Sequence, residues 1–139
     1  MSYSVSNLRY IDPQVLRTWF SKGSPTGNGK FSIVDVRDHD YVGGHIKNCL
    51  HYPSTNLSET MQEVIEKVKQ SDDIVFHCAL SQQRGPSAAM KFLRSVQDGD
   101  LDGKSVWILR GGFTRWQELY GEDNEVTEGY QKDIWKFGY

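Results

Sequence analysis

The sequence predicts an α/β domain in which a mostly parallel central sheet is covered by helices on both faces. Short apolar runs rich in β-branched residues alternate with longer amphipathic stretches, a pattern typical of strands joined through helices. The chain has 139 residues, of which 37% are hydrophobic and 24% charged, as expected for one soluble globular domain. We therefore predict a single domain over residues 1–139, with a core from about residue 10 to about residue 120.

The first predicted elements are a helix and the loop that follows it. Asp12 can cap a helix that has Pro13 in its first turn. The apolar stripe of this helix consists of Val15, Leu16, Trp19 and Phe20. The next segment, 21–30, is rich in Gly, Ser, Pro and Asn, which is typical of a surface loop.

The remaining elements follow in alternation. Four apolar runs predict strands, at residues 31–36, 48–52, 74–77 and 104–109. Three stretches predict helices, at residues 58–70, 85–96 and 112–120. The inward positions of the first of these helices are Met61, Val64, Ile65 and Val68. The C-terminal extension 121–139 mixes acidic and aromatic residues, and we expect it to fold back over the domain because exposed aromatic clusters are uncommon.

The charge and the apolar runs exclude several classes of partner. The net charge is -2 with both signs interspersed, so the sequence predicts no nucleic-acid binding and no attraction to an anionic membrane. The apolar runs are far too short for a membrane span. The first residues, 1–9, lack the apolar segment of a secretory signal.

The cysteine content indicates a reducing compartment. The two cysteines, Cys49 and Cys78, are too few for a secreted disulfide scaffold. Zinc ligands at the usual spacings are not found either, and we predict no metal or other cofactor. The predicted location is the cytoplasm, with the nucleus left open as a second location. The sequence does not define the oligomeric state.

The segment from Cys78 to Arg84 carries the strongest functional signal. Cys78 follows a predicted buried strand, and a predicted helix begins directly after Arg84, so the loop lies at the sheet edge where ligands bind. Successive backbone N–H groups of such a loop can form an anion-binding concavity. The predicted substrate-binding residues are Ala79, Leu80, Ser81, Gln82, Gln83 and Arg84.

The residue types in this loop suit nucleophilic catalysis on an oxyanion. The field of the loop favours the thiolate of Cys78, and the planar fork of Arg84 can hold two oxygens of a tetrahedral anion. Ser81 can donate its hydroxyl proton to the sulfur, while Gly85 and Pro86 allow a tight entry into the helix. The alternative interpretation is a buried structural thiol beside a surface arginine.

Two further motifs give the chain its resemblance to a known family. The segments 35–37 and 41–46 read Asp-Val-Arg and Tyr-Val-Gly-Gly-His-Ile, and 109–116 reads Leu-Arg-Gly-Gly-Phe-Thr-Arg-Trp. With the Cys78 loop between them, they resemble the amino- and carboxyl-terminal signatures of the rhodanese-like domain family. The resemblance covers about residues 10–120 and implies the rhodanese fold.

The length of the loop implies a branch of that family. Rhodanese-like sulfurtransferases usually carry four residues between cysteine and arginine, whereas this chain has five. Five is the number in the phosphatases that activate cyclin-dependent kinases and in the rhodanese-fold arsenate reductases, both of which accept a phosphate-sized oxyanion. The resemblance implies that Cys78 attacks phosphorus or arsenic while Arg84 and the loop amides hold the oxygens.

The chain also departs from the cell-cycle phosphatases. Ala79 and Gln83 occupy loop positions where those enzymes carry acidic residues, so the loop offers no general acid. Val36 stands where they have a second cysteine. Asp38 and Asp40 follow a strand end and are the acids that we nominate for protonating a leaving group.

Other candidate residues are interpreted as structural. Cys49 is expected to pack in the core rather than to form a redox pair with Cys78. His45 is expected to bond the backbone beneath the sheet, and His77 to point to the opposite side from Cys78. We expect Asp35 and Arg37 to brace the loop after their strand rather than to touch substrate. The glycine pair at 111–112 is expected to form a turn.

The leading hypothesis is a phosphatase that acts on a phosphorylated protein or small aryl phosphates through a phospho-cysteine. The second is an arsenate reductase that uses a cellular thiol such as glutathione. Sulfur transfer is disfavoured by the longer loop, and a non-catalytic phosphate- or protein-binding module is disfavoured by the presence of both Cys78 and Arg84.

Overall fold

The computed structural model describes residues 8–96 and 103–137, which form one layer of strands between two layers of helices. The strands are β1 (Arg9–Ile11), β2 (Phe31–Asp35), β3 (His45–Ile46), β4 (Leu50–His51), β5 (Asp73–His77), β6 (Ser105–Leu109) and β7 (Thr127–Glu128). The helices are α1 (Pro13–Lys22), α2 (Leu57–Lys67), α3 (Arg84–Ser95), α4 (Gly112–Tyr120) and α5 (Lys132–Lys136). A 3₁₀ turn at Ser54–Asn56 precedes α2.

The central sheet has five strands in the order β1-β6-β5-β2-β4, and all of its neighbouring strands are parallel. A separate two-stranded sheet joins β3 to β7 in antiparallel fashion. The predicted fold class, a mostly parallel sheet with helices on both faces, is confirmed. Because β2 and β5 are neighbours, the segments that follow them meet at one edge of the sheet.

Two apolar cores lie on opposite faces of the sheet. One contains the buried sides of α2 and α3, including Met61, Val64 and Phe92. The other contains those of α1 and α4, including Leu16 and Trp116. Burial of these side chains on both faces explains why β5 is apolar along most of its length rather than alternating.

The structure corrects the predicted stripe of α1 and the length of one strand. Leu16 and Trp19 are buried and Phe20 is partly buried, but Val15 is 49% exposed. A helix turns about 100° per residue, so Val15 lies beside the buried row formed by Leu16 and Trp19 rather than in it. The predicted strand 48–52 is reduced to the two residues of β4, which ends the strand order of the sheet and pairs with β2.

The C-terminal extension packs on the domain, as expected, over its described part, 121–137. Its strand β7 pairs with β3, and the Trp135 indole Nε1 donates a hydrogen bond of 2.9 Å to the Gly43 carbonyl. The Trp135 ring also lies 5.5 Å from that of Phe113. Residues 1–7, which make up most of the segment that lacks a signal-like apolar run, and Tyr139 lie outside the described residues. None of the described helices is both long and apolar enough to cross a membrane.

Candidate active site

The loop between β5 and α3 folds tightly around the Cys78 thiol. Cys78 is only 2% exposed, and its sulfur accepts a hydrogen bond of 3.2 Å from the backbone N–H of Ser81. Ser81 adopts a left-handed conformation, with φ of 58°, which turns its N–H back toward the sulfur. The Ser81 hydroxyl oxygen accepts a hydrogen bond of 3.4 Å from the Cys78 amide. A hydroxyl can accept and donate at the same time, so donation from Ser81 to the sulfur stays a prediction.

The start of α4 supports this loop from below. The amides of Phe113 and Thr114 donate to the carbonyl oxygens of Cys78 and Ala79 over 3.0 and 2.9 Å. Gly112 has φ of 57°, and a Cβ placed on it would clash with each of those two carbonyl oxygens. Sequence reasoning assigned the glycine pair a turn and missed this contact. The signal for this contact is that the glycine pair follows β6, and β6 lies beside β5 in the sheet.

The loop lines a cavity of about 350 Å³ that is open to solvent. Its lining residues are Cys78, Ala79, Leu80, Gln82, Gln83 and Arg84. All of these belong to the segment that the sequence singled out, and Arg84 is the charged side chain among them. Leu80 is 51% exposed at the mouth. A neutral lining with one guanidinium suits an anion with an uncharged, partly apolar substituent.

Arg84 is held by two aspartates from the segment after β2. Its Nη1 and Nη2 atoms donate to the two carboxylate oxygens of Asp40 over 2.8 and 2.6 Å. Nη1 also donates to Asp38 over 3.2 Å. The Arg84 side chain is 33% exposed, so this cluster lies at the boundary between protein and solvent.

The environment of these two aspartates argues against the nominated role of general acid. The hydrogen bonds from Arg84 lower the pKa of Asp40 to about 2. Burial by itself raises the pKa of Asp38, but hydrogen bonds from Ser54, from the amide of Thr55 and from Arg84 lower it overall. Both carboxyl groups are therefore ionised near neutral pH and have no proton to donate. The nomination of Asp38 and Asp40 as leaving-group acids is corrected.

A second ion pair lies buried below the loop. Arg37 donates through Nε to both oxygens of Asp35 at 3.0 Å and through Nη2 to Asp35 over 2.7 Å. The same guanidinium donates to the carbonyl of Gly44 over 2.9 Å and lies over the rings of Tyr41 and Phe113. The expectation that Asp35 and Arg37 brace the loop after β2 is confirmed.

His77 completes this buried group. Its Nδ1 lies 3.1 Å from the Cys78 carbonyl oxygen, and its Nε2, 3.7 Å from Asp35, has no hydrogen-bond partner among the described residues. Burial lowers the pKa of His77, so its ring is neutral at neutral pH. Burial raises the pKa of the Asp35 carboxyl, whereas the hydrogen bonds and the charge of Arg37 bring it below its ordinary value. His77 has the structural role that the sequence indicated.

Cys49 and His45 lie away from the loop. Cys49 packs with the α1 and α4 core, on the face of the sheet opposite to the core that includes Cys78. Burial raises the pKa of Cys49 to about 12, and its packing agrees with the predicted structural role, while the expectation that it forms no redox pair stays a prediction. Within the part of the chain that the structure describes, no hydrogen bond joins the His45 ring to the backbone, in contrast to the expectation. Its Nε2 lies 3.4 Å from Glu128 of the C-terminal extension, and its ring stacks on Tyr41.

Comparison with known sequences identifies the family. The sequence profile of the Rhodanese-like domain matches residues 15–119, which include the Cys78 loop and most of α4. The chain belongs to the rhodanese-like domain family. The resemblance noted from the three motifs is thereby confirmed.

Named relatives of this rhodanese-like domain include both phosphatases and arsenate reductases. CDC25-like phosphatase YCH1 of Saccharomyces cerevisiae is 46% identical over 97% of this chain and 99% of its own. Arsenate reductase 2.2 of Oryza sativa subsp. japonica is 38% identical over 63% of this chain and 70% of its own. A solved structure described as a yeast protein tyrosine phosphatase of the Rhodanese family has a TM-score of 0.88 and 42% identity, covering 96% of this chain and 99% of its own.

Proposed function

We propose that this domain is a cysteine-dependent phosphatase in which Cys78 is the nucleophile and Arg84 binds the phosphoryl oxygens. The observation that carries the proposal is the Cys78–Arg84 loop. A nucleophile and a guanidinium line one cavity of about 350 Å³ at the carboxyl end of β5. The remaining predicted binding residues, Ala79, Leu80, Ser81, Gln82 and Gln83, supply backbone N–H groups and neutral side chains. The names of the relatives support the same chemistry.

The proposed reaction has two steps. The Cys78 thiolate attacks phosphorus, a sulfur–phosphorus bond forms, and the bond from phosphorus to the ester oxygen breaks with its electron pair on the leaving oxygen. Water then attacks the phospho-cysteine, the sulfur leaves as a thiolate, and inorganic phosphate and a proton are released. Arg84 and the loop amides balance the negative charge of the phosphoryl oxygens in both steps.

The ionised state of Asp38 and Asp40 restricts the substrates. With Asp38 and Asp40 ionised beside Arg84, the leaving oxygen departs without help from either carboxyl group. Proton donation by a positioned acid is typically worth about 10²–10⁴ in rate. We therefore propose a preference for phosphotyrosine-like or small aryl phosphates, whose phenolate leaving groups need that help least.

Arsenate reduction is the second candidate, and the same ionised aspartates favour it. The Cys78 thiolate would attack arsenic, a sulfur–arsenic bond would form, and an arsenate hydroxyl would leave as water after taking one proton from solvent, so no alkoxide has to be expelled. A cellular thiol such as glutathione would then attack Cys78, form a mixed disulfide and leave arsenic with the two electrons that the two thiols supply. A reducing compartment such as the cytoplasm would suit this free-thiol chemistry.

A side-by-side assay tests the proposal. The protein is given p-nitrophenyl phosphate, arsenate with glutathione, and thiosulfate with cyanide. We expect hydrolysis of the aryl phosphate, and a rate across substituted aryl phosphates that falls steeply as the pKa of the leaving phenol rises, measured as pre-steady-state phenol release. Arsenite production without phosphate ester hydrolysis would favour the reductase, and thiocyanate alone would overturn both.

A further inference from the structure

The two edges of the Arg84 guanidinium differ in their partners. Guanidinium carries five N–H donors in one plane. Both hydrogens of Nη1 are taken, one by Asp40 and one by Asp38, and one hydrogen of Nη2 is taken by Asp40. The two remaining donors are Nε–H and the second hydrogen of Nη2. Within residues 8–96 and 103–137 no acceptor is bonded to Nε. These two donors point along the same edge and match two oxygens of a tetrahedral anion.

The segment that supplies the two aspartates is itself fixed. Asp38 accepts hydrogen bonds from the Ser54 hydroxyl over 2.7 Å and from the amide of Thr55 over 2.9 Å. Asp40 accepts one from the amide of Asp38, also over 2.9 Å. These contacts tie the segment to the turn before α2. A carboxylate held in this way can orient the group that it binds.

The far end of the same segment is fixed by other parts of the chain. The carbonyl of Gly43 accepts hydrogen bonds from Trp135 over 2.9 Å and from the amide of Gln131 over 3.2 Å. The carbonyl of Gly44 accepts one from Arg37 over 2.9 Å. The aspartates therefore lie on a stretch of backbone that is anchored on both sides.

Electrostatic attraction does not account for this arrangement. Two ionised carboxylates around one guanidinium give the cluster a net charge of -1, which repels an anionic substrate. What the carboxylates do supply is orientation, because a bidentate carboxylate fixes the plane of the guanidinium. Because the site is partly exposed, solvent and salt screen the repulsion between the carboxylates and an anionic substrate.

We propose that Asp40, assisted by Asp38, is a positioning residue that holds one edge of Arg84 in both the free and the oxyanion-bound protein, and so presents Nε and Nη2 to two oxygens of the substrate. The proposal rests on the proposed function of the Cys78 loop and adds a residue that acts through Arg84. It differs from an autoinhibitory contact, in which the substrate would have to displace Asp40 from Arg84.

The kinetic test is Asp40→Asn with an aryl phosphate. If Asp40 positions Arg84, kcat/KM falls by at least about tenfold, mostly through kcat, because misplacing a catalytic group by about 1 Å can cost about 10²-fold. Asp38→Asn, which removes one longer contact, should reduce kcat/KM less. Glu66→Gln removes the same charge from an exposed position on α2 and should leave kcat/KM unchanged. An unchanged or raised kcat/KM in Asp40→Asn, or tighter inhibition by tungstate, would overturn the proposal in favour of autoinhibition.

A crystal structure of the unmodified protein with tungstate gives a test that does not depend on how the variants fold. We expect both Asp40 oxygens to remain within hydrogen-bond distance of Nη1 and Nη2, with the tungstate on Nε and Nη2. An Arg84 side chain turned away from Asp40 onto the anion would contradict the proposal. An unmodified protein that neither hydrolyses aryl phosphates nor binds tungstate would instead remove the proposed function, and this inference with it.

Discussion

Two arginine–aspartate pairs lie at the same edge of the sheet, one buried and one at the surface. Arg37 is fully buried, and each of its three guanidinium nitrogens has a partner among Asp35 and the carbonyls of Val42 and Gly44. Arg84 is 33% exposed and contacts its aspartates through Nη1 and Nη2. The first pair lies at the end of β2, whereas the second joins Arg84, which follows β5, to an aspartate that follows β2. Their surroundings give the two pairs different uses.

The difference lies in what each guanidinium can still bind. All donors of a buried guanidinium need partners within the protein, since a buried polar group without one costs free energy. Each nitrogen of the Arg37 guanidinium has such a partner among the described residues, and the side chain is fully buried, so it presents no edge to a ligand. Arg84, by contrast, lines the cavity that it shares with Cys78, and within the described residues no acceptor is bonded to its Nε. We therefore expect Arg37 to be needed for stability and Arg84 for turnover.

The largest expected effect is on stability, from Arg37→Met. Removing one partner of a buried pair leaves the Asp35 carboxylate uncompensated, which costs about 3–5 kcal/mol of the free energy of unfolding. Urea denaturation followed by tryptophan fluorescence measures this loss. The double variant Asp35→Asn with Arg37→Met should recover part of it. A loss below about 1 kcal/mol in the single variant would show that the buried pair is not a structural requirement.

The next effect is on catalysis, from Arg84→Lys. Lysine keeps the charge but lacks the planar fork, and losing such transition-state contacts costs about 2–4 kcal/mol, or about 30- to 10³-fold in kcat/KM. Because the pair is partly exposed, the free energy of unfolding should change by less than about 1 kcal/mol. Steady-state kinetics and urea denaturation on the same sample separate the two effects. Near-normal kcat/KM would mean that a charge alone is sufficient.

The smallest expected effect is a pH dependence of the free energy of unfolding, which arises from His77 beside the buried pair. The pKa of His77 is lower in the folded protein than the ordinary value of about 6.5, so its contribution to stability is present above that pH and is lost as the pH falls. Below about pH 6.5 the unfolded chain binds a proton that the folded protein does not, which removes about 1.4 kcal/mol per pH unit.

Comparison with His77→Asn isolates this contribution. Asparagine keeps an N–H donor for the Cys78 carbonyl but does not titrate. We expect the free energy of unfolding of the unmodified protein to fall more steeply between pH 7 and pH 5 than that of the variant. Parallel pH profiles would mean that His77 is not held neutral by its burial.

The class of fold could be predicted from the sequence because local patterns specify it. The apolar runs at 31–36 and 74–77 and the helical stripe through Met61 and Val64 each reflect a face that the folded protein buries. Pairings between distant short segments leave no such pattern. β1, β3 and β7 have only two or three residues each, and β3 meets β7 about eighty residues along the chain.

At the candidate site, too, the local features could be predicted from the sequence, whereas contacts between distant segments could not. The segment 78–84 could be singled out because its residue types and spacing carry the chemistry locally. The contact of Gly112 with the Cys78 carbonyl and the pairing of Asp40 with Arg84 depend on three-dimensional packing between segments. From the sequence, a carboxyl group near the active site is a candidate proton donor. The structure shows that Asp38 and Asp40 bind Arg84, which favours their ionised form. The catalytic roles of Cys78 and Arg84 remain predictions.

The two cysteines provide the most direct test of the central claim, that Cys78 is the nucleophile. Cys78→Ser replaces the sulfur within the loop, and Cys49→Ser makes the same change on the other face of the sheet. We expect Cys78→Ser to lose at least about 10³-fold in kcat with p-nitrophenyl phosphate while still binding tungstate. Cys49→Ser should keep kcat within about twofold once folded, since the thiol there only packs. Substantial turnover by Cys78→Ser, or its loss in Cys49→Ser alone, would contradict the account.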